Sequence, residues 1–442
     1  MASPSRPTHV SPKLRRIAER ARNEPEGKFH SIAHLLDEEA LKRAFGRLRA
    51  SAAVGVDGVS KKDYSQDLEE NLRDLVGRLK RNQYRHQPIR RVRIPKEGGE
   101  DRELGISCTE DKIVQGALAE LLGAVYEEDF HPHSYGFRRG RGPHDAIRAL
   151  NRAVDGEKVG AVLEGDIKSF FDTVDRKLLL EMVQHRIPDG RIKRLIGKCL
   201  HVGILDGAEF SRPDEGVVQG SALSPLLGNL YLHYVLDLWF ERKIKPGLRG
   251  NAQLIRYADD WLILFEDPQE AERVKEQMLQ RLAEFGLCAH PDKTKIVSFK
   301  RPEKDPPGGG RQGTVDFLGF TMYWRRSRWG TWRVAFRTRG ARLRRAMQRI
   351  NEWCRDHRHQ SLTEQHRTLK SKLVGHYNYY GVNGNLDALK KLRHQAERYW
   401  FKWTNRRSQR RSYEWEGFAQ LLERVFPLPR PRIKVQIWGS TT

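Results

Sequence analysis

Two apolar runs, Leu254-Ile255 and Trp261-Leu262-Ile263-Leu264-Phe265, flank the four residues Tyr257-Ala258-Asp259-Asp260. No other pattern constrains the chain as much. It predicts two short strands joined by a tight turn, with adjacent carboxylates at the tip of a hairpin. Adjacent like charges repel and cost stability unless positive charge lies beside them. A divalent cation is the simplest such partner, because hard ions such as Mg²⁺ prefer carboxylate oxygen and keep positions open for water and phosphate. A pair of such ions can clamp the attacking and leaving oxygens of phosphoryl transfer. A solvated acidic turn is the plainer alternative.

A third carboxylate sharpens the reading. The apolar strand Val159 to Leu163 runs into Glu164-Gly165-Asp166-Ile167-Lys168-Ser169-Phe170-Phe171-Asp172, which would bring Asp166 to the strand's end, facing the hairpin tip. Asp172 and Asp175 begin the next helix and read as N-terminal caps. Phe171 is bulky and flat, and beneath the sugar of a bound nucleotide it would exclude a 2′-hydroxyl; one of Phe170 and Phe171 belongs to the core.

Charge points to a polyanion. The 442 residues carry a net +24, and from Tyr323 to the end there are 28 Lys and Arg against 8 Asp and Glu. Aromatics interleave these basic residues, as in Tyr323-Trp324-Arg325-Arg326 and Tyr399-Trp400-Phe401-Lys402-Trp403, so cations can meet phosphates while rings stack on bases. Cys108, Cys199, Cys288 and Cys354 form no CxxC pair, which excludes a disulfide framework and a zinc knuckle and suits a reducing cytosol. The sixteen histidines include no HExxH pattern. No apolar run approaches the roughly 18 residues of a membrane span.

Along the chain, residues 1–28 read as a polar, flexible arm, and 29–82 as helices broken by Gly55-Val56-Asp57-Gly58-Val59-Ser60. Strands at Ile89–Ile94 and Arg102–Ile106 flank the turn Lys96-Glu97-Gly98-Gly99, and a helix over 110–126 is capped by Thr109. Further helices are expected at 143–153, 175–187, 189–199, from Gln219-Gly220 to about Lys243, and at 268–285. A strand at Ile296–Phe299 and a strand pair from Phe317 to about Phe336 precede helices at 339–357, 362–376, 386–404 and 414–424.

The ordered set Arg102-Glu103-Leu104-Gly105-Ile106, Ser134-Tyr135-Gly136-Phe137-Arg138, Asp166 to Asp172, Gln219-Gly220 with Ser224-Pro225, Tyr257 to Asp260, Asp292-Lys293-Thr294-Lys295 and Phe317-Leu318-Gly319-Phe320 resembles the bacterial group II intron reverse transcriptase/maturase family. Gly55 to Gly58 resembles its N-terminal extension. Gly375-His376-Tyr377-Asn378-Tyr379-Tyr380-Gly381 and Trp403 with Arg406-Arg407 resemble its thumb. The resemblance implies roles. Asp166, Asp259 and Asp260, with the backbone of Ile167, would hold two Mg²⁺ ions. Lys96 and Arg102 would hold the incoming triphosphate, Phe171 would gate the sugar, and Gln219 would lie along the nucleotide. Lys293 would sit near the leaving pyrophosphate as a proton donor, and Phe317, Leu318, Gly319 and Phe320 would grip the primer. Arg344, Arg345, Lys370, Lys372, His376, Tyr377, Tyr380, Arg406 and Arg407 are its candidate RNA contacts. Glu103 and Val218 stand where prolines are common in the family. The Cys pairs that mark the family's endonuclease domain are missing, as in the short class C-like subgroup.

The expected fold is α+β, a right-hand polymerase with an antiparallel palm sheet plus an all-α thumb. It divides into a flexible arm (1–28), an N-terminal helical extension (29–83), fingers and palm (84–322), connecting strands (323–336) and a thumb/maturase domain (337–442). The expected activity is RNA-templated DNA synthesis together with binding of a group II intron RNA as template and ribozyme, assistance to its splicing and its copying into cDNA during retrohoming. Partners would be that RNA, a DNA primer or target and dNTPs, with no membrane, in the bacterial cytoplasm or on the nucleoid; the sequence sets no oligomeric state. The missing nuclease suggests priming from a replication fork or an existing 3′ end. A host-adopted enzyme of defence or repair, and an RNA-binding splicing cofactor with vestigial polymerase, are the rival readings. A diversity-generating enzyme ranks below both, because the segment Gln219 to Pro225 is intact.

Overall fold

A computed structural model describes residues 11–95, 101–156, 158–206, 209–211, 215–302, 313–327, 329–408 and 412–438. Its strands, in chain order, are β1 (Ile89–Pro95), β2 (Asp101–Ile106), β3 (Ala161–Asp166), β4 (Ile204–Asp206), β5 (Glu209–Ser211), β6 (Ala252–Tyr257), β7 (Asp260–Phe265), β8 (Lys295–Ser298), β9 (Val315–Phe317), β10 (Phe320–Arg326) and β11 (Trp332–Thr338). They form three sheets, β2-β1-β4-β5, β6-β7-β3-β8 and β11-β10-β9, among numerous helices. The architecture is α+β, with one mixed sheet because β1 pairs parallel with β4.

The β6-β7-β3-β8 sheet is antiparallel, and its central strands β7 and β3 are buried on both faces. Side chains alternate across a strand. Ala161, Leu163, Trp261, Ile263 and Phe265 therefore enter one core, whereas Val162, Leu262 and Leu264 enter another. The first face is covered by the helix Pro268–Glu284, whose Ala271, Val274, Met278 and Leu282 recur at helical spacing. Asp267 caps this helix through the Gln269 amide. The helix Pro143–Gly156 and the β11-β10-β9 sheet cover the second face. This layering leaves the strand ends that carry Asp166 and Asp260 at the rim of the core.

After β11 come the helices Gly340–Asp356, Leu362–Tyr380, Leu386–Thr404 and Trp415–Arg424, which share a third core around Leu369, Tyr377, Leu389, Trp400 and Phe418. Ser361 and Glu364 form a capping box at the second of them. Among the described residues, no helix is long and apolar enough to cross a membrane.

Several local expectations are corrected. Within the expected arm, Pro12–Asn23 is a helix. Its Leu14 and Ala21 are buried, and it packs along the helix Thr109–Asp129. Arg186 fastens its end, donating to the carbonyls of Ala21 and Glu24. Thr109 is the first residue of its helix and not the cap; its hydroxyl donates to Val59 O at 2.7 Å. Asp175 caps Arg176–Arg186 through the Leu178 amide, but Asp172 lies inside the short helix Phe170–Thr173. The expected long helix after Gln219 begins at Ser224 and passes into two π-helical turns, His233–Asp237 and Phe240–Ile244. The strand pair after Phe317 is a three-stranded meander, and β4–β5 had no sequence counterpart.

Candidate active site

The β6–β7 hairpin closes through Ala258 and Asp259, with Tyr257 paired to Asp260 across the turn. On the other side β7 pairs antiparallel with β3, and that register sets Asp166 directly opposite Asp260. A residue at 165 with a side chain would collide with the Trp261 indole packed over it, so glycine lets β3 and β7 pair up to their ends. Asp166 and the adjacent pair Asp259 and Asp260, distant from it in sequence, thus share one rim. Burial first, then the charges of Asp166 and Asp259, push the Asp260 carboxyl up to about 8. The Leu318 backbone N–H donates to Asp260 and pulls the other way.

Strain gathers here. Five described non-glycine residues have positive φ, and four of them (Phe137, Ser169, Ala258 and Leu318) stand in the loops around these acids. Such conformations persist only where surrounding structure enforces them. At Ala258 the enforcement is visible. Arg256, fully buried, bridges to both Asp237 oxygens, to Asn229 Oδ1 at 3.0 Å and to Ala258 O at 3.1 Å. Asn229 Nδ2 donates in turn to Gly136 O, and a Cβ on Gly136 would collide with the Ala258 backbone. Burial alone would raise the Asp237 carboxyl, but the Arg256 guanidinium overrides it and holds the carboxyl well below the usual range. The first π-helical turn carries Asp237 into this network. Sequence reasoning missed Arg256 and Asp237; an arginine inside an otherwise apolar strand was the available signal.

Lys293 Nζ lies 2.6 Å from Asp166 Oδ2, so the expected proton donor is an ion-pair partner of the first acid. Two residues back on the same face, buried Glu164 is pushed up to about 7 by burial, against the pull of Lys295 at 3.6 Å and the Asp316 N–H at 3.2 Å. The turn between Phe317 and Phe320 abuts this face. Phe317 and Phe320 are buried, Leu318 O accepts from Tyr379 Oη at 2.9 Å, and the Phe320 ring stacks on Tyr379 at 5.6 Å. Ile167 is buried and bridges to Ala289.

Of the residues expected around a nucleotide, Lys96 lies outside the described residues and Arg102 is described by its backbone in β2. Phe170 is core; Phe171 is half-buried against it, with ring centroids 5.2 Å apart. The Phe171 carbonyl accepts from the Val217 amide, and Gln219 O accepts from the Gly105 amide at 2.7 Å, tying β2 to the segment before Ser224.

Residues 94–322, just over half of the chain, match the family described as reverse transcriptase (RNA-dependent DNA polymerase). The chain belongs to the reverse transcriptase family. It is 33% identical over 359 residues to Protein YkfC of Escherichia coli strain K12, covering 74% of this chain and 91% of that protein. It is 31% identical over 304 residues to the group II intron-encoded protein LtrA of Lactococcus lactis subsp. cremoris, covering 66% of this chain and 50% of LtrA. It is 27% identical over 349 residues to an uncharacterized 91 kDa protein in the cob intron of Schizosaccharomyces pombe, covering 66% of this chain and 43% of that protein. The chain therefore spans half or less of these two intron-associated relatives. Membership makes it an enzyme of the nucleotidyltransferase class and implies Mg²⁺-dependent chemistry in general.

The donor chemistry of this reverse transcriptase fits such an ion. Carboxylate oxygens suit Mg²⁺, and a cation would relieve the mutual repulsion that lifts Asp260. Among the described residues, however, no three acidic, His or Cys side chains converge into a ready-made metal cage, and Asp166 is engaged by Lys293. The expected RNA contacts divide. Arg344, Lys370, Lys372 and Arg406 are exposed. His376, Tyr380, Arg345 and Arg407 are half-buried, and Arg407 donates to Gln360 O at 3.1 Å. Tyr377 is a correction: it is 2% exposed in the third core, because its helix turns it toward Leu373 and Leu389 and away from solvent. The Tyr380 and His376 rings pack 4.6 Å apart at a tilt of 31°, and Tyr380 packs on Phe320.

Proposed function

We propose that this enzyme copies RNA into DNA at the rim formed by β3 and β7, with the β6-β7-β3-β8 sheet as palm, the β1–β2 hairpin as part of the fingers and the four C-terminal helices as thumb. The observation that carries the reading is the register that opposes Asp166 and Asp260, with Asp259 in the adjoining turn. Asp166, Asp259, Asp260 and the Ile167 carbonyl would hold two Mg²⁺ ions, which when bound supply charge neutralisation at the attacking and leaving oxygens. Lys96 and Arg102 bind the triphosphate of a dNTP, Phe171 excludes a ribose 2′-hydroxyl, and Gln219 lies along the base pair. The Phe317–Phe320 turn orients the primer terminus. Lys293 transfers a proton to the departing pyrophosphate as its contact with Asp166 is released.

The helical C-terminal part, with its 28 basic and 8 acidic residues from Tyr323 onward, supports binding of a structured RNA. Two relatives are intron-associated, and the ordered motifs resemble the reverse transcriptase/maturase family. On this reading the RNA is a group II intron, whose splicing the protein assists and whose sequence it copies from a DNA primer. Asp259→Ala and Asp260→Asn should each lower primer extension at least about a thousandfold while leaving RNA affinity within about twofold. Primer extension retained by either variant would overturn the site.

A further inference from the structure

We infer that the β10–β11 hairpin is a docking platform for unpaired RNA, with Trp329 at its tip as the stacking surface and Arg325 and Arg333 as the phosphate contacts. From Phe317 to Asn351 the sequence holds ten arginines, no lysine and no acidic residue. Arginine's planar fork matches phosphate and stacks on flat rings, which an ammonium does not do. The strands sort these residues by face. Phe320, Met322, Trp324, Val334 and Phe336 enter the core, whereas Tyr323, Arg325, Arg333 and Arg337 alternate to the opposite face. There the Arg337 guanidinium lies 5.0 Å over the Tyr323 ring.

Two features of this hairpin are unfavourable in isolation. The register sets Arg325 directly opposite Arg333, a like-charge pair that weakens a sheet, and neither has an ion-pair partner among the described residues. Trp329 is 76% exposed, more than any other large apolar side chain described. Its turn is nevertheless built. Ser327 N donates to Thr331 O at 2.8 Å, Gly330 N to Ser327 O at 3.0 Å and Trp329 N to Ser327 Oγ at 3.2 Å. A polyanion carrying accessible bases answers both features together, since phosphates relieve the arginine pair and a base covers the indole. Duplex RNA keeps its bases stacked inside, so the indole selects unpaired nucleotides. The same strands begin at the turn beside Asp260, and seven residues of β10 extend roughly 20 Å from it. The choice of RNA as the polyanion rests on the polymerase reading above.

The test uses the full chain and a fluorescein-labelled oligouridylate of about 20 nucleotides, with a blunt RNA duplex of equal length as control, followed by anisotropy across a salt series. Trp329→Ala should weaken oligouridylate binding roughly five- to a hundredfold, leave duplex binding within about twofold and keep the salt slope. Trp329→Phe should restore most of the loss. Arg325→Ala with Arg333→Ala should weaken both ligands and lower the oligouridylate salt slope by about 1.4. Wild-type oligouridylate affinity in Trp329→Ala, or equal loss on both ligands, overturns the inference and leaves a protein partner as the occupant of the tip. Primer extension on a short, fully annealed template should stay at the wild-type rate in Trp329→Ala and Trp329→Phe, whose duplex binding is unchanged. If the wild-type protein extends no primer, the polymerase reading fails while the anisotropy result still decides the hairpin.

Discussion

Lys293 and Asp166 meet at 2.6 Å, and an ammonium at that distance competes with a divalent cation for the same carboxylate. Lys293→Ala should therefore lower the Mg²⁺ concentration that half-saturates primer extension, by roughly two- to tenfold. It should also lower kcat about a hundredfold, since a positioned general acid contributes at least that much. A Mg²⁺ titration of primer extension reads both effects; an unchanged half-saturation point would refute the competition. The acids themselves were legible in the sequence because Asp166 closes one apolar run and Asp259 and Asp260 stand between two others. The lysine's present partner was not, since the pair is separated by 127 positions.

At the scale of the element, the acid-bearing turn is held from behind by a charge pair that water does not reach. Removing one partner of a buried pair strands the other, whereas replacing both by apolar groups is often near neutral. Arg256→Met should destabilise the protein by about 3–5 kcal/mol, and Arg256→Met with Asp237→Leu should recover most of that. Urea unfolding of the two variants measures the difference; equal destabilisation would mean that the bonds to Ala258 and Asn229, and not the charge pair, carry the effect. Helical periodicity identified Pro268–Glu284 and the C-terminal helices. It failed for Pro12–Asn23, whose few apolar residues gain their meaning only when the helix Thr109–Asp129 supplies a surface to bury them.

Across the whole molecule, buried titratable groups pull stability in two directions. Asp260 and Glu164 are raised to about 8 and about 7, against roughly 4 in an unfolded chain. Between about pH 4 and 8 the folded state holds protons that the unfolded state has lost, so their contribution to stability falls as pH rises. His133 and His376 are pushed down to about 4 by burial, against roughly 6.5 unfolded. Stability that depends on their neutrality is complete above about pH 6.5 and is lost as pH falls toward 4. In EDTA the two effects offset each other up to about pH 6.5, so the Tm should hold roughly level there and fall toward pH 8, and Mg²⁺ should raise it chiefly on the alkaline side, where the carboxylates are charged. Scanning fluorimetry with and without Mg²⁺ tests this; an equal rise at pH 5 and pH 8 would contradict it.

The sequence by itself determined the type of most elements, the strand ends on which the acids stand and the basic, aromatic character of the C-terminal part, because periodicity, turn residues and charge are local properties. Only the tertiary structure decided which neighbours those residues meet. It turned Tyr377 into the third core, set Lys293 on Asp166, and aligned Arg325 with Arg333 across a hairpin that ends in an exposed tryptophan. Each of these depends on register and packing between segments distant along the chain, where one residue of slip or a different helix rotation would choose another partner.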